Sequence, residues 1–250
     1  MHYFKNGGFL FHLDQKMPKL TVLYENHKNP QQPDLTPGHG FSAFVEFQDL
    51  QILFDTGWDG DTLLKNARAV NLKIEDLDAL VISHRHWDHS GGIIQVLQNW
   101  NPKHIYLPSD YSHIQPREFL HYVPEVQVHR VKESTPLTEI SLKIFSTGTL
   151  KSEINIGEQA LILPSERFSG NLMIVGCLHP GLKAFVNQAQ KFGNVKAFVG
   201  GMHGFKDRDY LASTTINSVF AGHCTQYYEE LQSISHIVFT PLQVGFQLDF

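Results

Sequence analysis

The sequence predicts one α/β (α+β) domain built as two similar halves. Three observations carry that expectation. Apolar runs of strand length recur along the chain, as in Leu77 to Ile82 and Leu172 to Val175. Segments with apolar residues at helical spacing follow several of them, and the order of strands and then helices occurs twice. No solenoid repeat and no linker-like change of composition divides the 250 residues, and a compact fold of this length buries about 70–75% of its unfolded surface.

Composition narrows the function before any motif is considered. A formal charge of −5 leaves no basic footprint, which argues against a dedicated nucleic-acid binder and for a small-molecule substrate. No apolar run approaches the length of a membrane span, so no membrane role is expected. The two cysteines, Cys177 and Cys224, cannot make a disulfide framework. Each sits beside a candidate ligand histidine, which points to reduced thiols and a cytoplasmic location. Residues 1–17 read as an N-terminal leader or arm and residues 18–250 as the single domain. Oligomeric state is open.

Along the chain, Lys19 to Tyr24 alternates as a strand and leads into a Pro/Asn/Gln-rich loop, Glu25 to Gly38. Phe41 to Phe47 and Gln51 to Phe54 predict a hairpin around Gln48-Asp49-Leu50. Asp61 to Val70 has helical spacing, with Leu63, Leu64, Ala67 and Val70 on one face and Asp61 as N-cap. Ile93 to Trp100 predicts a second helix, stopped near Asn101-Pro102, and Ile105 to Leu107 a short strand. In the aromatic segment Ser109 to Tyr122, Pro116 argues against one uninterrupted helix. Its histidines, His113 and His121, are expected on the surface or in packing, and Tyr111, Phe119 and Tyr122 as exposed aromatics that cap a pocket or face a partner.

Val126 to Val131, Leu142 to Phe145, Ala160 to Leu163 and Leu172 to Val175 are β-rich. His179 to Phe192 reads as a helix with Pro180 in its first turn, and Val195 to Val199 as a strand. Ser218 to Ala221 is a strand, Gln226 to Gln232 a helix, and Ile237 to Phe239 and Val244 to Leu248 the last strands.

The chemistry centres on Ser83-His84-Arg85-His86-Trp87-Asp88-His89-Ser90-Gly91-Gly92. It places three imidazoles and a carboxylate directly after an apolar run, so a buried strand delivers them to a loop at the sheet edge. Neutral imidazole nitrogens and a carboxylate oxygen suit Zn, Mn or Fe rather than Ca²⁺ or Mg²⁺. His84 and His86 on an extended segment face one side, and Asp88 and His89 turn the other way, which serves a second ion.

This pattern, with Phe54-Asp55-Thr56-Gly57 upstream, resembles the metallo-β-lactamase superfamily. Gly176-Cys177-Leu178-His179-Pro180-Gly181, Gly200-Gly201-Met202-His203 and Gly222-His223-Cys224-Thr225 look more narrowly like the dihydropterin ribofuranosylaminobenzene 5′-phosphate synthase-like branch. The resemblance runs from about Leu20 to Phe250. It implies a four-layer αββα sandwich of two mixed sheets with outer helices, and two divalent transition-metal ions, zinc first. It further implies that His84 and His86 bind one ion with another His, and that Asp88 and His89 bind the second with His223. His39-Gly40-Phe41-Ser42 is implied to lie near the site mouth.

Two departures stand out. The Gly-Asp whose carboxylate bridges the metals in the superfamily corresponds here to Gly176-Cys177, and the expected earlier His is absent around Ser146 to Leu150. His179 is the best substitute for that ligand, the alternative being a helix-start His that only hydrogen-bonds backbone. Cys177 is either a thiolate ligand or a small packed residue, and Asp55 either braces the histidine loop or ligates. A lost bridge predicts partial occupancy of one site. The segment Phe205 to Asn217 is also shorter than the family's span between these motifs, which bears on one wall of the pocket.

The resulting expectation is a hydrolase that uses a metal-activated hydroxide on a small phosphoester, lactone or related substrate. Asp88 holds metal and orients the hydroxide, while His203 positions substrate, acts as an acid near the leaving group, or only packs. The alternatives are the phosphoribosyl-transfer synthase of the branch name, di-iron redox chemistry, and a non-catalytic metal-stabilised binding or sensor protein. No phosphoribosyl signature and no fused flavin domain supports the first two, and the altered ligands favour the last.

Overall fold

Strict alternation along the strands sorts side chains into three apolar layers. The computed structural model describes residues 17–250, so the leader expected over 1–17 lies, apart from Met17, outside the described residues. Its first half runs β1 (Lys19–Tyr24), β2 (Ser42–Phe47), β3 (Leu50–Phe54), α1 (Gly60–Ala69), β4 (Ala79–Val81), α2 (Trp87–Ser90), α3 (Ile93–Trp100), β5 (His104–Pro108), α4 (Gln115–Tyr122) and β6 (Gln127–Val131). The second half continues with β7 (Thr135–Pro136), β8 (Phe145–Ser146), β9 (Leu150–Lys151), β10 (Gly157–Glu158), β11 (Leu161–Ser165) and β12 (Gly170–Val175). It ends with α5 (Leu182–Ala189), β13 (Val195–Gly201), α6 (Arg208–Ser213), β14 (Ser218–Gly222), α7 (Tyr228–Gln232), β15 (Val238–Pro241) and β16 (Gln247–Asp249).

Two seven-stranded sheets result, ordered β16-β1-β2-β3-β4-β5-β6 and β15-β14-β13-β12-β11-β8-β7. In the first sheet β3 to β6 are parallel and the β1 side is antiparallel; in the second β12 to β15 are parallel and the β7 side is antiparallel. Ala79 and Val81 of β4 join Ile52, Phe54, Leu172, Ile174, Ala197 and Val199 in the core between the sheets. Leu80 and Ile82, on the opposite face, pack with Leu63, Leu64, Val96, Leu97 and Trp100 from α1 and α3. On the outer face of the second sheet, Met173, Val175 and Phe198 meet Phe185 and Val186 of α5. The fold is therefore a four-layer αββα sandwich. Each large apolar side chain buried this way contributes on the order of 1.5–3 kcal/mol, so the strands that carry the site are rigidly seated.

Some local expectations give way to specific contacts. Asp59, not Asp61, caps α1, because its carboxylate accepts from both the backbone N–H and the hydroxyl of Thr62. The helix after β12 starts at Leu182 rather than His179, because Gly181 at φ 88° and Leu178 at φ 67° turn the chain first. Of Leu142 to Phe145 only Phe145 is in a strand, and Leu142 is exposed. Tyr111 and Phe119 are buried under the first helical layer, so neither caps a pocket; Tyr122 alone of the three is exposed.

Candidate metal centre

Parallel strands bring the candidate residues together. β3 and β4 run side by side in the first sheet, and β12, β13 and β14 in the second, so the loops leaving their C-terminal ends converge on one end of the sandwich. Asp55 leaves β3, Ser83 and His84 follow β4, Cys177 and His179 follow β12, His203 follows β13, and His223 follows β14.

Hydrogen bonds fix the direction in which each ring presents its lone pair. Asp55, fully buried and left-handed at φ 58°, accepts from Ser83 N–H at 2.7 Å, from Ser83 Oγ at 2.6 Å, and from His89 Nδ1 at 2.7 Å. The Ser83 hydroxyl proton is thereby used, so its oxygen accepts from His84 Nδ1 at 2.9 Å. His223 Nδ1 donates to Asn26 Oδ1 at 3.0 Å, while the Asn26 amide donates to the His223 carbonyl. The Nε2 atoms of His84, His89 and His223 are consequently bare acceptors.

These bare nitrogens point at one another. His89 Nε2 lies 3.1 Å from His223 Nε2 and 3.1 Å from Cys177 Sγ, and His84 Nε2 lies 3.1 Å from His86 Nδ1. The His89 and His223 nitrogens meet lone pair to lone pair, which is repulsive at this distance unless a proton or a cation lies between them. Bonds of about 2.0–2.3 Å to one transition-metal ion place neighbouring ligands about 3–3.5 Å apart, which these separations match. His179 Nε2 is buried with no hydrogen-bond partner among the described residues, and its ring stands 4.9 Å from that of His84 and 5.0 Å from that of His86. The donor set therefore fits divalent transition metals.

Among the described residues, three groups of side chains offer atoms within 4.8 Å of one another: His84 with Cys177 and His179, His89 with Cys177 and His223, and His39 with Asp88 and His223. Cys177 belongs to two of them and so stands where a shared ligand would. Burial and the neighbouring Cys224, 3.3 Å away from sulfur to sulfur, push its thiol well above the usual range. A cation on the sulfur would act oppositely. Asp88 Oδ2 faces His223 Nε2 at 3.3 Å and His89 Nε2 at 3.9 Å. His203 stands at the rim, exposed, with its ring 5.3 Å from His179 and its N–H on the Cys177 carbonyl. Asp55 turns both oxygens to Ser83 and His89, a bracing posture.

Two buried carboxylates escaped sequence reasoning. Glu158 accepts the N–H groups of Cys177, Leu178 and His179 at 2.8, 3.0 and 2.8 Å, which holds the ligand turn. Glu25 accepts the His223 N–H with both oxygens and so fixes that left-handed residue at φ 49°. Both sit in strand-end or loop segments with no local motif, and only Glu25's place directly after a strand offered a signal. A cavity of about 930 Å³ between Phe47, Phe145, Phe192 and Phe250 lies at the opposite end and is lined by none of these candidate ligands. His113 and His121 are exposed and far from the cluster in chain order, on and before α4.

Burial sets the charge of the cluster. Desolvation lowers His89 and His179 to about 4 and depresses His84, His86 and His223 as well, so all five rings are neutral and metal-ready at neutral pH. It raises Asp55, and Glu158 to about 7, against the pull of their hydrogen-bond donors. The signs oppose. Depressed histidines remain neutral when the unfolded chain takes up protons below about pH 6.5, so stability falls on acidification; raised carboxylates work the other way. Five histidines outweigh two carboxylates. The metal-free protein is expected to lose stability as pH drops from 6.5 towards 4, read as a falling midpoint in thermal melts at graded pH. A midpoint that rises on acidification would contradict this balance.

The arrangement has recognisable relatives. A model of the metallo-beta-lactamase superfamily matches residues 35–183, more than half of the chain. An uncharacterized protein of Methanocaldococcus jannaschii, MJ0448, is 28% identical over 221 residues, covering 76% of this chain and 84% of that one. The 7,8-dihydropterin-6-methyl-4-(beta-D-ribofuranosyl)-aminobenzene-5'-phosphate synthase of the same organism is 23% identical, covering 85% of this chain and 89% of its own. Among solved structures, Tm1679, described as a metal-dependent hydrolase of the beta-lactamase superfamily, superposes with a TM-score of 0.73 at 22% identity, covering 93% of this chain and 99% of that one. With the His84–His89 cluster inside the matched segment and the αββα sandwich around it, the chain belongs to the metallo-beta-lactamase superfamily.

Proposed function

We propose that the protein is a metal-dependent hydrolase of a small phosphoester, lactone or related molecule, working with two divalent transition-metal ions of which zinc is the first choice. The observation that carries this reading is the convergence of bare imidazole nitrogens, Cys177 and Asp88 on one open end of the sandwich. The description of Tm1679 as a metal-dependent hydrolase supports it. When bound, such ions supply Lewis-acid polarisation of a carbonyl or phosphoryl oxygen and lower the pKa of a water.

The chain's own residues do the rest. Asp88, half-buried with one oxygen turned to His223 and His39, holds its carboxylate ionised and available to orient an attacking water. His203 at the rim stands ready to position the substrate or pass a proton to its leaving group. Trp58 and Trp87, each more than half exposed, border the ligand loops and offer ring faces to an organic substrate. The unbonded pair of thiols, Cys177 and Cys224, suits a reducing compartment, which favours the cytoplasm. Among the described residues no helix is long and apolar enough to cross a membrane.

A second reading is a synthase of the kind that the 23% identical relative's name describes, for which a phosphoribosyl transfer is the chemistry to test. The two separate by assay. Protein purified without added metal is expected to carry more than one ion, with the second site filled in part, to lose turnover of phosphodiesters or lactones on chelation, and to recover it with Zn²⁺ or Mn²⁺. His86→Ala is expected to lose that turnover. Activity only with phosphoribosyl pyrophosphate and an aminobenzoate-type acceptor would select the synthase. A chain that holds no transition metal defeats both.

A further inference from the structure

His39 stands near the centre, and neither the metal-binding motif nor the proposed chemistry uses it. Its Nε2 lies 3.2 Å from Asp88 Oδ2, on the same carboxylate oxygen that faces His223 Nε2 at 3.3 Å. The three atoms lie within 4.8 Å of one another. Two nitrogens flanking one carboxylate oxygen at these distances describe neighbouring corners of a coordination shell, whose edges are about 3–3.5 Å when bonds to the ion are about 2.0–2.2 Å. The side chain is 64% exposed, so solvent alone would leave it free to turn away.

The backbone behind it is built to hold that posture. Gly40, at φ 141°, packs so closely on the Asp88 carbonyl that any side chain there would collide with it, and Phe41 N–H donates to the same carbonyl. Gly40 N–H donates to Asn26 Oδ1 at 3.0 Å, the atom that also orients the His223 ring. One amide therefore keys the His39 loop and His223 together. Further back, buried Asn66 accepts from Thr36 N–H and donates to the Thr36 and Leu23 carbonyls, which ties the loop to α1.

We propose that His39 is a ligand of the second ion, which it shares with Asp88, His89 and His223. This rests on the dinuclear reading above. It also answers a weakness in that reading: the carboxylate bridge of the superfamily is replaced by Cys177, and an extra imidazole from the loop raises the number of groups holding the outer ion.

The test is titration of the metal-stripped protein with Co²⁺, following ion stoichiometry by elemental analysis and the visible absorption of each equivalent. Wild type is expected to take two equivalents. In His39→Ala the first should bind as in wild type, while the second weakens at least about tenfold, the scale on which even outer-sphere substitutions act, and its absorption changes. Because His39 is exposed, the metal-free melting midpoint should stay put, which separates lost ligation from lost structure; His39→Gln, isosteric in reach but a poor ligand for these ions, should behave like His39→Ala. Two equivalents bound by both variants with wild-type affinity and spectrum would overturn the assignment. A wild type that takes only one equivalent would overturn the dinuclear reading itself, and that result is visible before any variant is made.

Discussion

In the proposed dinuclear hydrolase, His89→Ala is expected to reduce bound metal from two ions to at most one and to lower turnover by about a thousandfold or more. The size follows from how many partners one ring serves. His89 Nε2 faces both Cys177 and His223, and its Nδ1 donates to Asp55. Removing it empties one corner of the group that contains Cys177 and His223. A metal ion is worth several kcal/mol of transition-state charge stabilisation, and about 4 kcal/mol is a factor of about a thousand. Stability should also fall, because Asp55 is fully buried and loses one of its three donors. An acceptor left short in such a place costs about 1–3 kcal/mol. Elemental analysis, kinetics and a denaturant melt on the same preparation read all three. Unchanged metal content would remove His89 from the ligand set, whatever happened to activity.

Fold and centre were legible in the sequence to different depths. Period-two alternation and helical spacing located Lys19–Tyr24 and Ile93–Trp100 to the residue, because the strand sends alternate apolar side chains into two different layers and the helix buries one face. Boundaries failed where one hydrogen bond or one backbone angle decides, as at Asp59 and at Leu178 to Gly181. Densely spaced chemistry was readable: the His84–His89 run and the strand-end turns at Cys177 and His223 do meet in space. What composition and motif could not show was the support beneath them. Glu25 and Glu158 lie far along the chain from the turns they hold, and a lone Glu at a strand end carries no signature. His39 was placed near the mouth by resemblance, but its approach to Asp88 depends on Gly40, Asn26 and Asn66 acting through the fold.

The three buried carboxylates share one task, and Glu158 offers the cleanest way to test it. Asp55 steers His89, Glu25 seats His223, and Glu158 gathers the three consecutive N–H groups that precede α5. Leu178, a non-glycine residue at φ 67°, sits in the middle of that turn and would not hold the left-handed region without such restraint. Glu158→Ala leaves three donors without an acceptor in a fully buried site. At about 1–3 kcal/mol each, with water relieving part of it, the expected loss is several kcal/mol, or about 10 °C in melting midpoint for a chain of this size. Glu158→Gln separates holding the fold from holding the ion. One amide oxygen can still accept from Cys177 and Leu178, but the amide NH₂ then opposes the N–H of His179. The glutamine variant is therefore expected to recover much of the melting midpoint while still losing the ion proposed for His84, Cys177 and His179. Equal metal content in Glu158→Gln and wild type would show that His179 keeps its place without the carboxylate, and that the turn is held by packing around Leu178 and Leu182 alone.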